Sequence, residues 1–143
     1  MISSVSMESF NFDPSILKKL IADHMEDGYL ENIIDMFKHD SSLYEYVGEL
    51  MTDKRLRVRI GVSALIETLR EEDPENVSKA IPSLLPLLKD HDPIRRGDAA
   101  HILGMIGNKD AIPFLKEIEN DEDENVRTIV KEAIEEIQAK SSF

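Results

Sequence analysis

Apolar side chains recur at intervals of three and four residues along nearly the whole chain, and no stretch shows the period-two alternation, bounded by turns, that marks a strand. The pattern predicts an all-α protein. A first helix opens at Asp13-Pro14, where the carboxylate can cap orphan amides, proline is preorganised for the first helical position, and Phe12 can staple onto Leu17. Its expected buried stripe is Ile16, Leu17, Leu20 and Ile21, and Gly28 can close it. Leu30, Ile33, Ile34 and Phe37 make a second stripe. A third helix is expected from Ser42, with Glu45 completing a capping box and Leu43, Val47, Leu50 and Met51 buried. A fourth buries Val58, Val62, Leu65, Ile66 and Leu69.

Beyond this point the chain repeats itself. Ala80-Ile81-Pro82-Ser83-Leu84 returns 31 residues later as Ala111-Ile112-Pro113-Phe114-Leu115, and Asp92-Pro93-Ile94-Arg95-Arg96 returns at the same offset as Asp123-Glu124-Asn125-Val126-Arg127. Placing Arg59 under Arg96 gives a third copy, with Val62, Leu65 and Ile66 under Ala99, Ile102 and Leu103; the longer offset of 37 puts six extra residues around Glu71 to Ser78. A period of this size implies a solenoid of helix pairs, each burying its apolar face only by stacking on its neighbours. Asp92 and Asp123 are placed to cap the second helix of a pair, and each precedes Arg96 or Arg127 by the four residues of a favourable acid-then-base pair. Stacking would carry these arginines, with Arg59, into a ladder with the next repeat's aspartate. Ala99 and Ala100 allow close helix approach, Gly104 and Gly107 thin and then end that helix, Pro82 and Pro113 open first helices, and Pro86 should kink its own.

The stretch DPIRRGDAAHILGMIGNKDAIPFL resembles the HEAT-like repeat first associated with phycobilisome lyases, with its Asp-Pro-x-Val-Arg, Ala-Ala-x-x-Leu-Gly and Ala-Ile-Pro-x-Leu elements. One position departs from it: Arg95 stands where an aliphatic residue is usual, which suggests a looser start to that helix. The resemblance covers residues 41–138 and implies an α-α superhelix of the HEAT/armadillo kind. The expected architecture is a right-handed superhelix of about eight helices in one structural unit. Residues 1–40 form a helical cap whose first dozen residues are disordered, residues 41–138 form three HEAT-like pairs, and order ends near Lys140. Iron-binding repeats of this kind, as in deoxyhypusine hydroxylase, carry His-Glu early in the second helix. Gly97-Asp98, Ile60-Gly61 and Thr128-Ile129 stand at those places, so the resemblance argues against that enzyme.

Composition narrows the functional classes. The 143 residues include 29 acidic and 17 basic side chains, for a net charge of −12, and no cysteine. Disulfides, thiolate metal sites and cysteine nucleophiles are excluded. The acidity opposes nucleic acid, whose phosphates each require a local Lys or Arg. No basic segment with an apolar run opens the chain, and no stretch approaches the roughly 20 apolar residues of a membrane span, so a soluble, cytoplasmic protein is expected.

Candidate chemistry is sparse. Of His24, His39, His91 and His101 only the last has a carboxylate on its own helical face, in Asp98-x-x-His101, and two such ligands define no metal site. The acidic run Glu119 to Glu124 lacks the glycine and ligand order of a calcium loop and reads as a connector. No metal, cofactor or catalytic residue is therefore expected. Lys54, Arg55, Arg57 and Arg59 form the one basic cluster, within a segment, residues 41–70, holding five basic and four acidic side chains where every other segment is acidic. These observations, with the family resemblance, lead to a non-catalytic protein-interaction module. Its groove, lined by the second helices, should bind a protein segment through Lys54, Arg55, Arg57 and Arg95. The resemblance implies one alternative, a subunit or accessory factor of a chromophore or prosthetic-group lyase. The last helix carries a wide apolar stripe, Val126, Ile129, Val130, Ala133, Ile134 and Ile137, whose edge is expected to dock against a second copy or another protein.

Overall fold

The computed structural model describes residues 13–141. Phe12, and the disorder expected of the first dozen residues, lie outside that range. Among the described residues there are eight α-helices and no strand: α1 Pro14–Glu26, α2 Leu30–His39, α3 Val47–Leu50, α4 Leu56–Glu72, α5 Ile81–Leu84, α6 Pro93–Ile106, α7 Ile112–Lys116 and α8 Glu124–Ser141. Short 3-10 turns at Ser41–Tyr46, Val77–Ala80 and Lys109–Ala111 lead into α3, α5 and α7. Each of these helices then reverses into a long partner, α4, α6 or α8. The long partners pack side by side, the short ones pack on their other side, and α1 and α2 lie against α4.

The caps follow local chemistry. The Asp13 carboxylate accepts from the Ser15 amide at 2.9 Å, Asp92 from the Ile94 amide at 2.9 Å, and Asp123 from the Val126 amide at 3.0 Å. Gly28 and Gly107 end α1 and α6 with φ of 88° and 80°, a region that L side chains avoid. Without an amide proton at Pro86 the α-helix stops at Leu84 and continues as a 3-10 turn, Leu85–Lys89. Two expectations at the first helices are corrected. The third helical segment starts on Asp40, not on a Ser42–Glu45 box, because the Asp40 carboxylate takes both the Ser42 amide, at 3.0 Å, and the Ser42 hydroxyl. In α1 the buried face is Ile21, Ala22 and Met25, whereas Ile16 and Leu20 face solvent. That rotation suits Gly61 of α4, where any Cβ would run into the Met25 side chain.

The core runs continuously through all three pairs, with Val58, Val62, Leu65, Ile66 and Leu69 of α4 meeting Ala99, Ala100, Ile102 and Leu103 of α6. Gly104 brings α6 onto α8: a Cβ there would lie 2.9 Å from the Ala133 backbone. A buried polar tie joins the first pair to the turn after it. The Tyr44 hydroxyl donates to Asp73 at 2.9 Å, Asn76 donates to the other carboxylate oxygen at 2.9 Å, and the Tyr44 ring meets Phe37 edge-on at 5.1 Å. The α6 C-terminus is held by cations from both neighbours, since the Met105 carbonyl accepts from Arg70 at 3.3 Å and from Lys140 at 2.9 Å. Lys140 anchors the last turn of a helix running to Ser141, and the rest of the tail lies outside the described residues.

Each long helix begins with the same clasp. The Asp53, Asp90 and Asp121 carboxylates accept from the amides of Arg55, Asp92 and Asp123, all at 2.9 Å. Their carbonyls accept from arginines six residues on: Arg59 at 2.6 Å, Arg96 at 2.8 Å and Arg127 at 2.7 Å. The arginines therefore do not pair with an aspartate four residues earlier. The cross-repeat bond is made by Arg96, whose Nε and Nη2 donate to the two oxygens of Asp121 at 2.9 and 3.0 Å, both side chains being about nine-tenths buried. Arg127, with no following repeat among the described residues, is exposed.

Asp121→Asn keeps the turn and removes the charge, with an expected loss of about 2 kcal/mol near neutral pH. Arg96 holds the Asp121 carboxyl below the usual carboxylate range. Its stabilisation is therefore complete above the unfolded value and is lost as pH falls through the lowered one. Thermal melts from about pH 7 to about pH 3 should show the gap between wild type and variant narrowing with acid; a constant gap would mean that the ion pair contributes nothing.

Candidate functional site

The long helices α4, α6 and α8 present a furrowed outer face, with α6 as its central ridge. A hollow of about 420 Å³ lies between α4 and α6, bordered by Ile60, Ala64, Glu67 and His101. Two more, of about 230 and 280 Å³, lie between α6 and α8 and share Gly97, Asp98 and Ile129. A fourth, of about 140 Å³, sits at the turn end, where Lys54, Arg59, Ile94, Arg95 and Asp98 meet. Asp98 borders three of the four, so the hollows form one groove centred on it.

Two isoleucines stand out of this surface. Ile60 is 59% exposed and Ile94 is 65% exposed; Leu56, one turn before Ile60, is exposed as well, whereas the remaining large apolar side chains of α4 and α6 are buried. Ile94 owes its position to an inversion. The first and third copies read Arg57-Val58-Arg59 and Asn125-Val126-Arg127, with each valine in the core. The second reads Ile94-Arg95-Arg96, which sends the aliphatic side chain outward and leaves Arg95 half-buried beside Asp90 at 3.5 Å.

The four residues expected to contact a partner do not form one patch. Lys54 and Arg95 line the turn-end hollow. Arg57 is exposed but borders none of the four hollows, and like Lys54 it has no hydrogen bond or ion pair among the described residues. Arg55 belongs to the framework: its guanidinium bonds Asp53 at 3.0 and 3.1 Å and Asp23 of α1 at 2.9 Å, so it ties α1 to the start of α4. Those bonds hold the Asp53 and Asp23 carboxyls below the usual range; at Asp23 the Lys19 ammonium contributes first. At Asp98 the balance is reversed. Burial pushes its carboxyl up against the pull of Arg59 and His101, and nothing among the described residues donates a hydrogen bond to it.

Among the groove's apolar and acidic members, Ile129 was expected at a docking edge of the last helix and Asp98 was noted only beside His101, whereas Ile60 and Ile94 were not anticipated from the sequence. Their signal was present in two places: Ile60 falls off the stripe of Val58, Val62 and Leu65, and Ile94 trades places with Arg95. The edge of α8 is largely consumed by α6, with Val126, Val130, Ala133, Ile134 and Ile137 buried and Ile129 half-buried. No group of three or more His, Asp or Glu side chains placed to hold a metal occurs among the described residues, and no helix there is long and apolar enough to cross a membrane.

A family model for HEAT repeats matches residues 57–135, over half of the chain. The chain belongs to the HEAT-repeat family. A comparison with curated proteins finds no match. HEAT repeats in general mediate protein–protein interaction, and in this HEAT protein α4, α6 and α8 are the second helices of the three pairs.

The division between framework and surface is testable by charge reversal. Arg55→Glu, facing Asp53 and Asp23, should lower Tm by roughly 3 °C or more. Arg57→Glu should stay within about 0.5 kcal/mol of wild type. Equal melting temperatures would refute the assignment.

Proposed function

We propose that the chain is a non-catalytic adaptor that docks a segment of another protein in the groove along α4, α6 and α8, with α1 and α2 as the cap that closes the stack beside α4. The observation that carries this reading is the pair of outward isoleucines, Ile60 and Ile94, on successive second helices. Each borders a hollow, and the two are joined across the face by hollows that share Asp98 and His101. Exposed aliphatic side chains gain by burial against a partner, at about 25 cal/mol for each Å² removed from water. The helices already hold the backbone in place, so docking orders only the side chains. Lys54 and Arg95, at the turn end, supply polar contacts at the groove's rim. Arg57 lies outside the groove, and Arg55 acts indirectly by fixing α4 against α1.

Affinity capture from native lysate should retain a defined protein on the wild-type chain and lose it on Ile60→Glu/Ile94→Glu. Both side chains face solvent, so that double variant should melt within about 1 kcal/mol of wild type. Retention of the same partner by a folded double variant would place the docking surface elsewhere.

A further inference from the structure

The groove takes in Lys54 and Arg59 of the basic cluster, yet its lining is acidic on balance. Its four hollows are bordered by four cations and seven carboxylates. Most of these are already engaged. Arg59 is spent on the Asp53 carbonyl, Arg70 on Met105 and Glu136, and Arg95 on Asp90. Among the carboxylates, Asp92 and Asp123 cap helices and Asp53 holds Arg55. What remains without a hydrogen bond or ion pair among the described residues is Asp98, Glu67 and Glu132, against Lys54 alone. Asp98 sits at the centre, half-buried, between Ile94 on one side and His101 and Ile129 on the other.

We infer that the segment docked in this groove is cationic and amphipathic, its aliphatic side chains resting on Ile60, Ile94 and Ile129 and a Lys or Arg between them reaching Asp98. The inference rests on the reading of the groove as a docking surface and adds the chemistry of the occupant. A partner ammonium or guanidinium would supply the donors that the half-desolvated carboxylate lacks. Glu67 and Glu132 flank it, and the net charge of −12 steers a basic segment toward the molecule as a whole. An acidic segment would meet the same field with the opposite sign, and would find Lys54 only at the groove's end.

The probe is a pair of fluorescein-labelled peptides of equal length and identical leucine pattern, one with Lys and one with Glu at every polar position. Each is titrated into the full chain by fluorescence anisotropy at about 0.15 M salt. The Lys peptide should bind and the Glu peptide should not. Asp98→Asn should weaken the Lys peptide roughly fivefold, and Ile94→Asn should weaken it as well. Glu75→Gln, an exposed carboxylate outside the groove, should leave it unchanged. Tighter binding of the Glu peptide, still sensitive to Ile94→Asn, would overturn the charge assignment while leaving the groove reading intact. Lys-peptide binding that ignores Asp98→Asn, or that falls equally with Glu75→Gln, would reduce the effect to the overall field and overturn the inference. Failure of both peptides to bind would also overturn it, while capture by the wild type but not by Ile60→Glu/Ile94→Glu would still separately decide whether the groove docks a protein.

Discussion

Each long helix begins where an aspartate grips the backbone two residues ahead and an arginine six residues ahead returns to that aspartate's carbonyl. The clasp fixes the direction in which α4, α6 and α8 leave their turns, at Asp53–Arg59, Asp90–Arg96 and Asp121–Arg127. Helix direction decides everything downstream. Gly104 of α6 reaches Ala133 of α8 only if the two helices leave their turns in matching directions. The same directions space the outer ridges that bound the groove. Where two clasps meet, Arg96 and Asp121 add a bidentate bond between repeats, so the local turn and the stacking of α6 on α8 share one guanidinium. The rest of the stacking is apolar, and it is this buried contact that makes a short solenoid stable.

The helical stripes were legible because burial in a stacked repeat is periodic and the repeat prints it several times. Val62, Leu65 and Ile66 announce Ala99, Ile102 and Leu103, and all six are inside. Capping by Asp92 and Asp123 and termination at Gly107 were legible for the same reason, since they depend on neighbours along the chain. The stripe of α1 was not. Four apolar residues, Ile16, Leu17, Leu20 and Ile21, offered a plausible face, but the partner surface on α4 selects the one centred on Ile21 and Met25. Periodicity alone does not say which flank of a wide stripe meets a partner. The Tyr44–Asp73 bond was hidden too, because it spans 29 positions and neither residue belongs to a repeated motif.

The arginines show a different limit. Spacing of four residues is the familiar signature of a helical ion pair, and Asp92 and Asp123 stand at that spacing from Arg96 and Arg127. Both aspartates are helix caps, though, and a cap's oxygen faces the first turn's amides. The groups free to receive arginine are the backbone carbonyls of the preceding turn, on the aspartates two residues further back. The aspartate six residues before each arginine was visible in all three copies. Recognising it required knowing that the turn, and not the helix, is the acceptor.

This allocation also changes how the basic cluster is read. Arg55, Arg59, Arg70, Arg95, Arg96 and Arg127 each bond a carbonyl or carboxylate of the fold, which leaves Arg57 as the one arginine without a partner among the described residues. A cation held by the framework is already compensated and offers little to a ligand, while the carboxylates it does not reach keep their full demand for donors. Counting charges along the sequence draws attention to residues 54 to 59; subtracting the cations that the fold engages leaves Lys54 and Arg57 there, and this subtraction is the ground on which we propose the face around Asp98.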